Sequence, residues 1–133
     1  MSDYSEAKRT LVIVDDEPAL RLLLKEFFKK TFNTIVLDDG STCLEWLAHH
    51  PLPDAIILDL DMPHTTGHEV ISQVRSDDRY ADVPILVLSG KESSRDRVVC
   101  LRAGADDFVV KPFNPEELEA RIYSILRRVN ALR

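Results

Sequence analysis

Apolar residues in this chain fall into short runs, separated by amphipathic stretches of helical period. Leu11-Val12-Ile13-Val14 is the first run, and it ends in Asp15-Asp16. Leu20, Leu23, Leu24, Phe27 and Phe28 then recur at helical spacing, with Arg21, Lys25, Glu26, Lys29 and Lys30 opposite. Glu17-Pro18 opens that helix, because proline fits a first turn whose amides have no helical partner, and Asp16 suits its N-cap. Thr34-Ile35-Val36-Leu37 is a weaker strand closed by Asp38-Asp39-Gly40. Ser41 is placed to cap a short helix with apolar positions at Cys43, Leu44 and Leu47. Pro51-Leu52-Pro53 breaks the chain before Ala55-Ile56-Ile57-Leu58. Four apolar residues in a row mark a strand buried on both faces. This one ends in Asp59-Leu60-Asp61-Met62-Pro63, where the proline forbids continuing the ladder.

In the second half, Thr66 and Glu69 have capping-box spacing ahead of a helix with Val70, Ile71 and Val74 inward. A polar connection from Arg75 to Val83 leads to Pro84-Ile85-Leu86-Val87-Leu88, which ends in Ser89-Gly90-Lys91. A fourth helix is expected from about Ser93 to Ala103, with Val98 and Leu101 inward, Arg95, Arg97 and Arg102 outward, and Gly104 as its stop. Asp107-Phe108-Val109-Val110 is the fifth strand, and Lys111-Pro112-Phe113 follows. Asn114-Pro115-Glu116-Glu117 then starts a helix whose inner face is Leu118, Ile122, Ile125, Leu126 and Val129. Its Arg127, Arg128 and Arg133 suit the negative end of the helix dipole. Five apolar strands alternating with five helices predict a doubly wound α/β domain, a parallel five-stranded sheet with helices on both faces.

Composition narrows the class. The chain has 133 residues, with 17 Lys+Arg against 23 Asp+Glu and a formal charge of −6. That is one domain's length, and an acidic balance without a basic stripe argues against direct nucleic-acid binding by this module. No apolar run approaches the ~18 residues of a membrane span, and the leader is polar and mixed in charge, unlike a secretory signal. Cys43 and Cys100 lack metal-ligand spacing and read as reduced core residues of a cytosolic protein. His64 and His68 are four apart, but Thr66 and Gly67 place His64 ahead of the helix. No role is assigned to them, nor to His49-His50.

Chemistry gathers at one rim. In open α/β sheets ligands bind beyond the carboxyl ends of the strands. Four of the five strands here deliver a polar or charged side chain there: Asp15-Asp16, Asp59, Ser89 and Lys111. Each alone is unremarkable, as a cap, a turn residue or a solvated charge. Three converging carboxylates, however, repel one another without a cation. Oxygen ligands of this kind suit Mg²⁺, which takes one or two carboxylates and keeps several waters. Asp59 is then a nucleophile toward phosphorus. Phosphoryl transfer asks mainly for positioning and charge neutralisation. Mg²⁺, the Lys111 ammonium and the Ser89 hydroxyl would each serve one phosphoryl oxygen, and Gly90 leaves room.

Taken together, Val12-Ile13-Val14-Asp15-Asp16-Glu17-Pro18, Ile57-Leu58-Asp59-Leu60-Asp61-Met62-Pro63, Leu88-Ser89-Gly90 and Ala103 to Phe113 resemble the receiver domain of two-component response regulators. The resemblance covers about residues 10–129, leaving 1–9 as a leader and 130–133 as a tail. It implies a flavodoxin-like (βα)5 fold with strand order 2-1-3-4-5. It implies phosphorylation at Asp59, direct Mg²⁺ ligation by Asp16, ligation through water by Asp15, and a backbone carbonyl ligand from Asp61. Ser89 matches the hydroxyl switch residue, Lys111 the family's lysine, and Phe108 the switch aromatic. A cis bond is expected at Lys111-Pro112.

The same resemblance supplies partners and behaviour. A sensor histidine kinase or histidine phosphotransfer protein would donate the phosphoryl group in the cytoplasm. The domain would catalyse its own phosphorylation and dephosphorylation, as a signalling module and not as an enzyme with a separate substrate. Ser89 would move inward and Phe108 rotate into the vacated space, changing the face of the fourth helix, fifth strand and fifth helix. That face carries Arg95, Arg102, Asp106, Glu119 and Arg121, and it pairs with a copy of itself or is an ordinary solvated surface. Asp61 and Lys91 are opposite charges two residues past Asp59 and Ser89, positions that set the phosphoryl lifetime. Two alternatives compete. Asp59-Leu60-Asp61 also resembles the motif of haloacid-dehalogenase-type phosphohydrolases, but those enzymes open with it, whereas here Asp15-Asp16 comes first. A degenerate receiver that only binds partners is disfavoured by the complete set of Asp16, Asp59, Ser89 and Lys111.

Overall fold

The computed structural model describes residues 8–62, 66–90 and 94–132. Strands and helices alternate as β1 (Arg9–Val14), α1 (Pro18–Phe28), β2 (Phe32–Leu37), α2 (Gly40–His49), β3 (Ala55–Asp59), α3 (Gly67–Ser76), β4 (Ile85–Ser89), α4 (Ser94–Ala103), β5 (Asp107–Val110) and α5 (Pro115–Leu132). The strands form one parallel sheet in the order β2-β1-β3-β4-β5. Because strand side chains alternate, each buried strand feeds two cores. Val12, Val14, Ile56, Leu58, Ile85 and Val87 pack with residues of α2, α3 and α4. Leu11, Ile13, Ile57, Leu86 and Leu88 pack with Leu24 and Phe28 of α1 and with Leu118, Ile122, Ile125 and Leu126 of α5. This explains the unbroken apolar runs of β1, β3 and β4.

Register carries the polar residues to one rim. Val14 pairs with Leu58, so Asp15 and Asp59 leave their strands at the same level. Asp59 pairs with Leu88, and Ser89 with Val110, so Ser89 and Lys111 come next along that edge. The start of α3 presses against the backbone just after Asp59. A Cβ on Gly67 would lie 2.8 Å from Leu60 Cα and 3.0 Å from the Asp59 carbonyl oxygen, and only glycine permits that approach. The expected capping box at Thr66 and Glu69 forms with both arms present. Gly104 ends α4 at φ +120°, and the Asn114 carboxamide accepts from Glu116 N. The Lys111-Pro112 bond is cis.

Four local expectations are corrected. Glu17, not Asp16, is the N-cap of α1 and makes no side-chain cap bond, which leaves Asp16 outside the helix start. Asp39, not Ser41, caps α2, accepting from Thr42 N at 2.7 Å; an acceptor three residues ahead of the amide has the better reach. Leu23 is 47% exposed, and α1 turns Leu20, Leu24, Phe27 and Phe28 inward. In α4, Val98 and Leu101 are 44% and 42% exposed, while Cys100 is fully buried. Val98 to Leu101 are four consecutive apolar residues, which span most of a helical wheel and so fix no inner face. Cys43 and Cys100 are both free and buried, and burial pushes the Cys43 thiol up to about 12. Among the expectations above, those on Pro63, His64, Lys91, Ser93 and Arg133 lie outside the described residues.

Candidate functional site

Among the described residues, the buried polar or charged side chains are Asp15, Asp59 and Ser89, and all three sit at the carboxyl rim. Burying a charge is costly without partners, so each partner is informative. Asp59, 2% exposed, takes the Lys111 ammonium on Oδ1 at 3.1 Å and the Asp61 backbone N–H on the same oxygen at 3.0 Å. Asp15 Oδ1 accepts from Glu17 N at 2.8 Å, while its Oδ2 is buried without a hydrogen-bond partner. Lys111 stands 3.8 Å from that oxygen, close enough for attraction and too far for a hydrogen bond.

The charges respond accordingly. Burial pushes Asp15 up to about 6, against the Glu17 N–H, with Asp59 adding repulsion. Burial also raises Asp59, opposed by the Asp61 N–H and by Lys111. For Lys111 burial works downward, but the bond to Asp59 and the charges of Asp59, Asp15 and Asp61 carry it above its ordinary value. One ammonium therefore faces more negative charge than it can neutralise. Asp15, Asp16 and Asp59 each offer a carboxylate oxygen, all within 4.8 Å of one another. An oxygen-only donor set with one buried oxygen left unbonded fits a hard divalent cation.

Several placements differ from what spacing suggested. Arg21 was expected on the solvated side of α1. It is half-buried instead, and its Nη1 donates to the Asp15 carbonyl oxygen at 2.7 Å, which fixes the peptide between the two aspartates. The Asp61 side chain accepts from Gly90 N at 2.8 Å and from the Ser89 hydroxyl at 3.3 and 3.4 Å, while Lys91, the partner expected for it, lies outside the described residues. Phe108, expected as the switch aromatic, is buried, 6% exposed in the core shared with α3 and α4, with the Arg97 guanidinium 5.6 Å from its ring centroid. A phenyl ring has no polar tip to favour the exterior. On the face of α4, β5 and α5, Asp106 turns to Arg75 at 3.0 Å and to Ile85 N at 2.8 Å. Arg121 pairs with Asp107 and Glu117. Both charges are thus engaged within the chain. Arg21 and Arg75 carried no distinguishing sequence signal, since an arginine on a helix or in a polar connection reads first as solvated; Arg75 in fact belongs to the last turn of α3.

With that geometry in view, a family model described as "Response regulator receiver domain" matches residues 11–123. "Probable transcriptional regulator ycf27" of Guillardia theta is 42% identical over 126 residues, covering 94% of this chain and 48% of that protein. "Phosphate regulon transcriptional regulatory protein PhoB" of Escherichia coli (strain K12) is 32% identical over 126 residues, covering 95% of this chain and 55% of its own. The chain therefore spans about half the length of the curated relatives it matches. Among solved structures, a putative response regulator from Chloroflexus aurantiacus J-10-fl superposes with a TM-score of 0.84 at 30% identity, covering 90% of this chain and 98% of its own. Chemotaxis protein CheY4 of Vibrio cholerae does so at 0.83 and 29%, covering 90% and 99%.

Proposed function

Because the chain belongs to the response regulator receiver domains, we propose that Asp59 is its phosphoacceptor and takes a phosphoryl group from the phosphohistidine of a sensor kinase or phosphotransfer protein. The domain is a signalling module of a two-component system. In the transfer, the bond from phosphorus to imidazole nitrogen breaks and a bond from phosphorus to an Asp59 oxygen forms. Lys111, 3.1 Å from Asp59 Oδ1, is placed to neutralise charge on the incoming group. Asp15, Asp16 and Asp59, with the backbone carbonyl of Asp61, are the residues that would hold Mg²⁺, which when bound offsets phosphoryl charge. Ser89 is the switch hydroxyl and Phe108 the aromatic that responds to it. Hydrolysis of the acyl phosphate by the same domain resets the switch.

We take 10–129 as the switching unit, flanked by 1–9 and 130–133, and place its work in the cytoplasm. The face of α4, β5 and α5 is the surface that changes, and it can pair with a second copy. The relatives' names, transcriptional regulators among them, suggest transcriptional regulation as the output. The observation that carries the reading is Asp59 itself, a buried carboxylate held between an ammonium and a backbone N–H beside an acidic pair with an unbonded oxygen. Incubation with phosphoramidate and Mg²⁺, followed by intact mass, tests it. One added phosphoryl group per chain is expected, and none when a chelator is present from the start. No added mass would leave a degenerate partner-binding module. Turnover of small phosphate esters beyond one equivalent would revive the phosphohydrolase.

A further inference from the structure

The donors that a phosphoryl group on Asp59 would need are already occupied, and by a group of the same charge. Ser89 Oγ and Gly90 N stand at the end of β4, beside Asp59 in the sheet, since Asp59 and Leu88 are register partners. Both donate to the Asp61 carboxylate, Gly90 N at 2.8 Å and Ser89 Oγ at 3.3 and 3.4 Å. Asp61 is itself exposed, so its carboxylate reaches in from the mouth of the site. Its backbone N–H points the other way, to Asp59 Oδ1. A carboxylate and a phosphoryl group both present oxygens with negative charge, and both favour a hydroxyl and a backbone amide as donors.

We propose that the Asp61 side chain is an internal competitor for the phosphoryl group, a clasp on Ser89 and Gly90 that phosphorylation must displace. This rests on Asp59 being the phosphoacceptor. The clasp holds the β3 and β4 ends together while Asp59 is unmodified. Once displaced, Asp61 swings outward with its charge, so the exchange alters the mouth of the site as well as its floor. Hydrogen bonds to a charged acceptor are the stronger kind, so losing the clasp changes the balance by roughly tenfold.

The test compares the wild-type chain with Asp61→Ala and Asp61→Asn, each with Mg²⁺. Phosphorylation by phosphoramidate is followed by intact mass, and beryllofluoride binding by titration. The backbone of residue 61 is intact in both variants, and thermal melts report whether each folds. Asp61→Ala should phosphorylate about tenfold faster and bind beryllofluoride about tenfold more tightly. Asp61→Asn loses the charge but keeps an oxygen that accepts from Gly90 N, so its gain should be clearly smaller. Equal gains in the two variants would mean simple charge repulsion and overturn the clasp. So would a folded Asp61→Ala that shows no gain while the wild type is phosphorylated. A wild type that takes up no phosphoryl group would instead overturn the reading of Asp59 on which the clasp depends.

Discussion

Replacing Asp15 by Asn should stabilise the metal-free protein near neutral pH, because Asp15 is ionised there against its surroundings. Its pKa stands at about 6 against an ordinary 3.8, with burial as the largest cause. A carboxyl whose pKa is raised on folding holds its proton longer in the native state than in the unfolded chain. The native state then binds more protons between the two values, so stability is full below the lower one and falls as pH rises through the higher. The shift is about two units, which at 1.36 kcal/mol per unit gives roughly 3 kcal/mol as an upper bound. Asn keeps the acceptor for Glu17 N but buries an amide that lacks a full set of partners, so a net gain of about 2 kcal/mol is expected. Urea unfolding in chelator near pH 7 and near pH 4 measures it. The variant should be the more stable near pH 7 and lose most of that advantage near pH 4. Excess Mg²⁺ should stabilise the wild type more than the variant. A variant less stable than wild type near pH 7, or a gain that does not change with pH, would refute the reasoning.

Four further substitutions probe what frames the site and the core beneath it. Gly67→Ala forces a Cβ to 2.8 Å from the Leu60 backbone, so it should cost about 1–3 kcal/mol in urea unfolding and slow phosphorylation, because Asp59 must shift. Arg75 donates to the carbonyls of Gly104, Ala81 and Val83 and pairs with Asp106. Arg75→Ala should therefore cost about 2–3 kcal/mol by the same measurement, leaving half-buried acceptors unmet. Leu101→Ser on the exposed side of α4 should change stability by less than about 0.5 kcal/mol, whereas Leu118→Ala in the core under α5 should cost roughly 2–5 kcal/mol.

The parallel sheet follows closely from the chain's pattern, because the apolar runs of β1, β3 and β4 are buried on both faces and leave no ambiguity of phase, whereas its strand order came from the family resemblance. The convergence of Asp15, Asp59, Ser89 and Lys111 followed from the same fact, since parallel strands bring all their carboxyl ends to one edge. What the pattern did not hold was direction of individual side chains at surfaces and turns. Four adjacent apolar residues in α4 cannot tell which one faces in, and Cys100 turned out to be buried while Val98 and Leu101 are exposed. Arg21 looked solvated because helical spacing sees only its own element, and the Asp15 carbonyl it binds belongs to the preceding loop. The donors that the Asp61 carboxylate meets, the Ser89 hydroxyl and Gly90 N, lie at a strand end distant in sequence. Such contacts depend on tertiary register, which spacing along the chain does not encode.

The most direct test of the central claim is to map the modified residue. The chain is phosphorylated with phosphoramidate and Mg²⁺, the acyl phosphate is reduced with borohydride to the corresponding alcohol, and peptides are sequenced by mass. The reduced residue should appear at position 59 and nowhere else, and Asp59→Asn should abolish it. Reduction at Asp15, Asp16 or Asp61 in its place, or at no position in a folded chain, would contradict the account.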